Sequence, residues 1–348
     1  MKVTEARDAR AALARAVDPV GNFRDLDAAA SLPLVRLAAA HRVSTYLAER
    51  FPDEPSLRAL LMVERVQERV RRKHDLVVLD RLGKITEPIV LKGIVSQRLL
   101  NPDAPRRSGD LDVLVPEVAL DAVTAELLAM GYTQDESFLS IADYRRLHHH
   151  DAPFVLAGDV AHTVEVHRHP LRNPVGSHVP VDRFFEGAIQ MEIDGTTVTR
   201  LSDVDFMLNL AVHAFEGEPT ELRALAETAL AWRRLSDADV EAFLVAVSSP
   251  GVARPVAWTL GLVELTFPGA IPGATLDELF TMAGVTKTHR RLGERVLGQV
   301  GTDLDVWYGV RTALGPLLGA SAARTAIVDA LTAMSTVVRE ARRLQDAA

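Results

Sequence analysis

The 348-residue chain contains no cysteine. Disulfides, thiolate metal sites and a cysteine nucleophile are therefore excluded, and a reducing compartment is compatible with the composition. Aromatic residues are sparse, at 5%, beside 48% hydrophobic and 25% charged residues, which is the balance of an ordinary soluble globular protein. There is no excess of positive charge: the formal net charge is −8, which argues against a general nucleic-acid binder while leaving room for a local basic face. No apolar run approaches the roughly 20 residues needed to cross a bilayer. The opening MKVTEARDARAALARAV mixes acids and bases too densely for a signal peptide, so the protein is expected to be cytoplasmic and soluble, without a membrane partner. Internal repeats and low-complexity tracts are also missing.

The length allows two or three compact units. From Pro33 to about Leu82 the pattern is helical, with a Pro-Asp break before a long amphipathic stretch from Ser56. Within it, residues 58–84 carry eight Lys/Arg against four Asp/Glu. That basic stripe is either a solvated helix face or a surface for an anionic substrate. After Glu87-Pro88 the texture changes. PIVLKG reads as a short strand ended by Gly93, IVSQRLL as a helix, and LDVLV as a strand. A helix then follows from Pro116 to Gly131, with proline at its start and glycine at its end. Further strands are expected at 153–158 and 162–169, and a hairpin at QMEIDGTTVTRL turning on Asp194-Gly195. From Ser202 onward the pattern is helical, with breaks at 249–255 and 268–273.

The strand LDVLV is unusual at its entrance. RRSGDLDVLVP, residues 106–116, places Asp110 and Asp112 two apart, where extended side chains share a face. Two carboxylates held that close raise each other's pKa unless a cation or donor lies between them, so the pair suggests a divalent metal site. Strand polarity separates the sites that use such a pair. In haloacid-dehalogenase-like phosphatases, and usually in nucleotide-sugar glycosyltransferases, the aspartates end an apolar strand. Here they open one, behind a loop.

VLKG (90–93), SGDLDVLV (108–115) and VEVH (164–167) follow in the order of a glycine turn, a paired-aspartate strand and a later strand with a third carboxylate. This resembles a group of bacterial nucleotidyltransferase-like proteins in the superfamily related to DNA polymerase β, marked by L-K-G, R-x-x-x-D-[IL]-D-[LV]-L-V and E-[LV]-H. The resemblance covers roughly residues 88–232. It includes LSDVDFMLNLAVHAF (201–215) with His213, and a following segment where relatives tend to carry Asp and this chain has Glu227. It implies an α+β fold: a small mixed-sheet nucleotidyltransferase core (88–200) between an N-terminal helical region (1–87) and a C-terminal one (201–348). It also implies two Mg²⁺ (or Mn²⁺) ions, held by Asp110, Asp112 and Glu165, one activating the acceptor oxygen and one neutralising the leaving pyrophosphate, and ATP or another nucleoside triphosphate as substrate. His167 joins the three carboxylates as a catalytic candidate. Lys92, Gly93, Ser96, Arg106, Ser108 and Gly109 are the nucleotide-binding candidates.

Several of these residues have a second reading. Glu165 is otherwise a solvent-facing strand position, Lys92 an ion-pair partner of one aspartate, and Arg106 and Arg107 solvated loop arginines. His148, His149 and His150 stand in a row, with His162, His167 and His169 further on. A zinc site on His167 and His169 is conceivable, but the preferred reading makes His167 a partner of the metal ligands or an acceptor-side base, with His150 the triplet member facing the site. Trp232 and Trp258 lie in helical patterns and are expected in the core. The expected reaction is transfer of a nucleoside monophosphate, most simply AMP from ATP, to a small-molecule, peptide or protein acceptor. The acceptor would lie against the helical flanks, near Arg69 and Arg72 or near His213 and Arg223. The alternatives are a non-catalytic nucleotide- or partner-binding protein of the same fold, and a toxin–antitoxin-type enzyme modifying tRNA or protein.

Overall fold

The computed structural model describes residues 13–15, 17–18, 38–39, 42–51, 55–101, 106, 108–134, 149–150, 152–158, 161–173, 175–216 and 221–285. Arg107 and His148, and the helical pattern beyond residue 285, lie outside them. In chain order the elements are α1 (Ser44–Arg50), α2 (Pro55–Leu82), β1 (Ile89–Val90), α3 (Ile94–Leu100) and β2 (Leu111–Leu114), then α4 (Leu120–Ala129), β3 (Thr133–Gln134), β4 (Phe154–Leu156) and β5 (His162–His167). A short α5 (Asp182–Glu186) precedes the hairpin β6 (Ile189–Ile193) and β7 (Thr196–Arg200), and α6 (Asp203–Glu216), α7 (Leu222–Trp232), α8 (Asp237–Ala246), α9 (Pro250–Thr266) and α10 (Gly273–Met282) follow.

The strands form one seven-stranded mixed sheet in the order β3-β4-β5-β2-β1-β7-β6. β2 runs parallel to β5 and antiparallel to β1, while β1 runs parallel to β7. Central placement explains why β2 is apolar apart from Asp112: all four of its residues are buried, and the other three are Leu111, Val113 and Leu114. The hairpin turns as its sequence requires: Asp194 and Gly195 both have positive φ, at 49° and 79°, the twist that a two-residue connection needs.

α2 is tied to the sheet by a buried polar chain. Asp75 Oδ1 meets His162 Nε2 at 2.7 Å, and His162 Nδ1 meets Tyr132 Oη at 2.7 Å. On the other side of the sequence, α6 packs against α7 and α9, and α9 against α10, around Leu208, Leu225, Val256, Leu260 and Leu279. The expected break at 249–255 is displaced. Ser249 lies just before α9, Pro250 opens it, and Pro255 is accommodated inside it. Proline is tolerated at the first helical position because the first N–H groups have no intrahelical acceptor, so Pro250-Gly251 begins a helix rather than ending one, whereas Pro255 lies past that first turn.

Gly93 ends the β1 segment with φ 67° and ψ −115°, a conformation for residues without a Cβ. A Cβ there would lie 3.3 Å from Ser108 Oγ and 3.6 Å from the Asp110 carbonyl. The turn therefore packs directly on the loop that delivers the aspartates. Gly93→Ala should lower stability by about 1–3 kcal/mol, read from urea denaturation, because it forces a side chain into a sparsely populated backbone region.

Candidate active site

The parallel pairing of β2 with β5 sets Asp112 beside Glu165 and Leu114 beside His167. Residues two apart on β5 share a face, so Glu165 and His167 both reach the Asp112 carboxylate. His167 Nε2 lies 3.0 Å from Asp112 Oδ1 and 3.6 Å from Glu165 Oε2. One donor atom from each of Asp112, Glu165 and His167 lies within 4.8 Å of the other two, the one such group of metal-capable side chains among the described residues. Asp112 is 1% exposed. An ionised carboxylate at that depth requires cationic partners.

Two cations answer it. Besides His167, Lys92 Nζ stands 3.3 Å from Asp112 Oδ2, an ion pair without a formal hydrogen bond to that oxygen. Burial works against the Lys92 ammonium, but the charges of Asp112, Asp110 and Glu165 outweigh it and raise its pKa. Burial likewise opposes the His167 imidazolium. Its hydrogen bonds to Asp112 and Glu165 prevail and hold its pKa at about 9. For Glu165 burial would push the carboxyl upward, yet the hydrogen bond from His167 and the charge of His150 bring it to about 2. The second reading of Lys92 from sequence, an ion pair with an aspartate, is thus the arrangement observed.

The remaining candidates divide. Asp110 lies just ahead of β2 rather than in it, and outside the compact three-residue group, although its charge is felt by both Lys92 and Glu165. Ser108 Oγ donates to the Asp110 carbonyl at 2.9 Å. Gly109 is exposed, and Ser96 Oγ is buried without a hydrogen-bond partner. Arg106 is neither solvated nor open to a phosphate: its guanidinium forks onto Glu227 of α7, with Nε–Oε1 at 2.6 Å and Nη2–Oε2 at 3.1 Å, and Nη1 reaches Ser108 Oγ at 3.3 Å. The signals for that pair were present as Arg106 and Glu227, but 121 residues separate them and no local pattern joins them.

His149 and His150 flank His167, with ring centroids 5.0 and 5.3 Å from it, and His150 pairs with His167 as an isolated antiparallel bridge. His169 does not join them. Its Nε2 faces the Val179 carbonyl at 2.9 Å and its Nδ1 accepts from the Leu171 amide at 3.0 Å. Opposite, Lys92 Nζ donates to His213 Nε2 at 3.3 Å. The Lys92 charge lowers the pKa of His213, with Arg172 and Arg223 adding to it; His213 is exposed, so the burial that would add to the shift counts for little. Arg72, from the basic stripe, is engaged by Glu68 at 2.6 Å and Asp194 at 3.3 Å.

These residues fit a divalent cation. Two carboxylates and an imidazole converge, and the Asp112 carboxylate keeps a buried oxygen that no hydrogen bond satisfies. No helix among the described residues is long and apolar enough to cross a membrane. The sequence model of a family described as "uncharacterised nucleotidyltransferase" matches residues 29–268, and the chain belongs to that family. No curated protein and no solved structure matches it.

Proposed function

We propose that this member of the uncharacterised nucleotidyltransferase family transfers a nucleoside monophosphate, most simply AMP from ATP, to an acceptor oxygen on a small molecule, peptide or protein, in the manner of the superfamily related to DNA polymerase β. The observation that carries the reading is the parallel register of β2 and β5, which converges Asp112 and Glu165 on one buried point beside Lys92. The acceptor oxygen forms a bond to the α-phosphorus, the bond from that phosphorus to the pyrophosphate oxygen breaks, and the acceptor's proton passes to solvent water. A bound divalent ion would activate the acceptor oxygen and offset charge on the departing pyrophosphate.

The chain's own task is placement of charge. Asp112 and Glu165 would hold the cation, with Asp110 the nearby carboxylate on the loop. Lys92 with Arg172 and Arg223 keeps the rim around His213 positive, which suits a polyphosphate or an anionic acceptor. In this reading the core, residues 88–200, carries the nucleotide and the flanking helical regions wall the acceptor, with His213 on α6 and Arg223 on α7 as the described contributors. The engagement of Arg72 by Glu68 and Asp194 favours that side over the basic stripe.

Isothermal titration with α,β-methylene-ATP tests the assignment. Affinity should fall at least about tenfold when EDTA replaces the divalent ion, because phosphate oxygens complete a coordination shell that the carboxylates begin. Equal affinity in both buffers would instead identify a non-catalytic nucleotide binder.

A further inference from the structure

We infer that the outward face of α2 between Arg58 and Val77 is a docking surface for an acidic amphipathic helix of a partner protein. Met62, Val63, Val66 and Val77, all on this helix, are each more than half exposed. Ala59, Met62, Val66, Arg69, Lys73 and Val77 follow one another at intervals of three or four residues, so they form one line of exposed side chains down the helix. A solvated face would be polar along that line. This one is apolar at its start and cationic further on, and apolar residues gathered on an exposed stripe mark an interaction site where single ones do not.

The charges on that stretch have one sign. Arg58 and Arg65 flank the apolar residues, Arg69 and Lys73 continue their line, and all four are exposed. The acids of α2 are spent elsewhere: Glu64 and Asp75 are buried, Glu68 pairs with Arg72 at 2.6 Å, and Asp80 pairs with Lys84 at 2.8 Å. In a chain of net charge −8, this helix thus turns a cationic, partly apolar strip outward.

Charge and spacing together choose the occupant. A second copy docking about a two-fold axis would present the same face and set cations against cations. The phosphates of a nucleic acid would use the four cations but gain nothing from Met62, Val63 and Val66. A helix lying on a membrane carries its cations beside an apolar band, whereas Arg69 and Lys73 interrupt the apolar line itself. A three-four spacing is read by another helix, whose apolar side chains enter between those of the stripe while its carboxylates meet the arginines. From Ala59 to Val77 the surface runs for about 27 Å, or about five helical turns.

The probe is a synthetic helical peptide of about three heptads, with leucine on its seam and glutamate on both flanks, titrated into the full-length protein by fluorescence anisotropy beside a twin carrying lysine for every glutamate. The acidic peptide should bind at least about tenfold more tightly than the basic one. Arg69→Glu combined with Lys73→Glu should weaken it at least about tenfold, and Met62→Ser combined with Val66→Ser at least about fivefold, since one pair removes the charge match and the other the buried apolar area. All four side chains are exposed, so both double variants should fold, which circular dichroism checks. Equal affinity for the two peptides, no binding of the acidic one, or binding that survives either double variant would overturn the inference. A dimer seen by light scattering and dissolved by the Met62→Ser, Val66→Ser variant would overturn it in favour of a second copy. Tighter binding of a hairpin RNA or of phosphatidylserine vesicles than of the acidic peptide would overturn it in favour of a phosphate-bearing surface.

Discussion

Asp112→Asn will reduce nucleotidyl transfer by at least about 100-fold, measured as release of pyrophosphate or as incorporation of label from α-³²P-ATP. Loss of a residue that merely supports a metal ligand commonly costs 10–100-fold in affinity or activity, and Asp112 is the carboxylate on which every other member of the site converges. The substitution also leaves Lys92 and His167 facing a neutral amide. Two buried cations without their shared anion oppose each other, so the variant should be less stable as well as inactive. Glu165→Gln separates the two effects. Glu165 is the more exposed carboxylate, so its amide should cost activity with a smaller loss of stability. Full activity in a folded Asp112→Asn protein would mean that the chemistry occurs elsewhere in the chain.

The features that were legible in the sequence were those written in local pattern. The alternation of VEVH on β5, the glycine turn at VLKG and the D-G hairpin each follow from the chemistry of a few adjacent residues, and the structure has them where the sequence puts them. The resemblance to a family gave only that a third carboxylate, Glu165, lies on a later strand; the parallel neighbour relation of β2 and β5, and with it the register of Asp112 on Glu165, was not foreseen, since strand order is a long-range property. The two-residue strand β3 carries no periodicity to detect and was not foreseen. Roles fared less evenly than positions. An arginine ahead of two aspartates reads as a phosphate clamp when its loop is viewed alone, and nothing near Arg106 reveals that α7 will bring Glu227 onto it. The same holds for Asp75, which looks like one charge among many on an amphipathic helix until β5 presents His162 to it.

The Arg106–Glu227 pair supplies the largest expected effect on stability. Both residues are nearly inaccessible, and the pair is bidentate, joining α7 to the loop that carries the aspartates. Glu227→Ala strands a buried guanidinium and should cost about 3–5 kcal/mol by urea denaturation. Burial alone would raise the Glu227 carboxyl, but the charges of Arg106 and Arg223 prevail and hold it below its ordinary value. Its contribution is therefore present above the unfolded carboxylate pKa of about 4 and is lost as pH falls through the lower folded value. The stability gap between wild type and Glu227→Gln should accordingly narrow under acid. Arg106→Met combined with Glu227→Leu should recover much of the loss, because apolar replacement of a buried ion pair is often neutral or favourable. Recovery will be partial, since the double variant also removes the Glu227 charge that faces Arg223. The stable double variant asks what the pair is for. Arg106 reaches Ser108, and Ser108 donates to the Asp110 carbonyl. If that chain positions the loop, the double variant will fold yet bind manganese more weakly than wild type. Wild-type metal affinity in a stable double variant would show that the pair serves the fold alone.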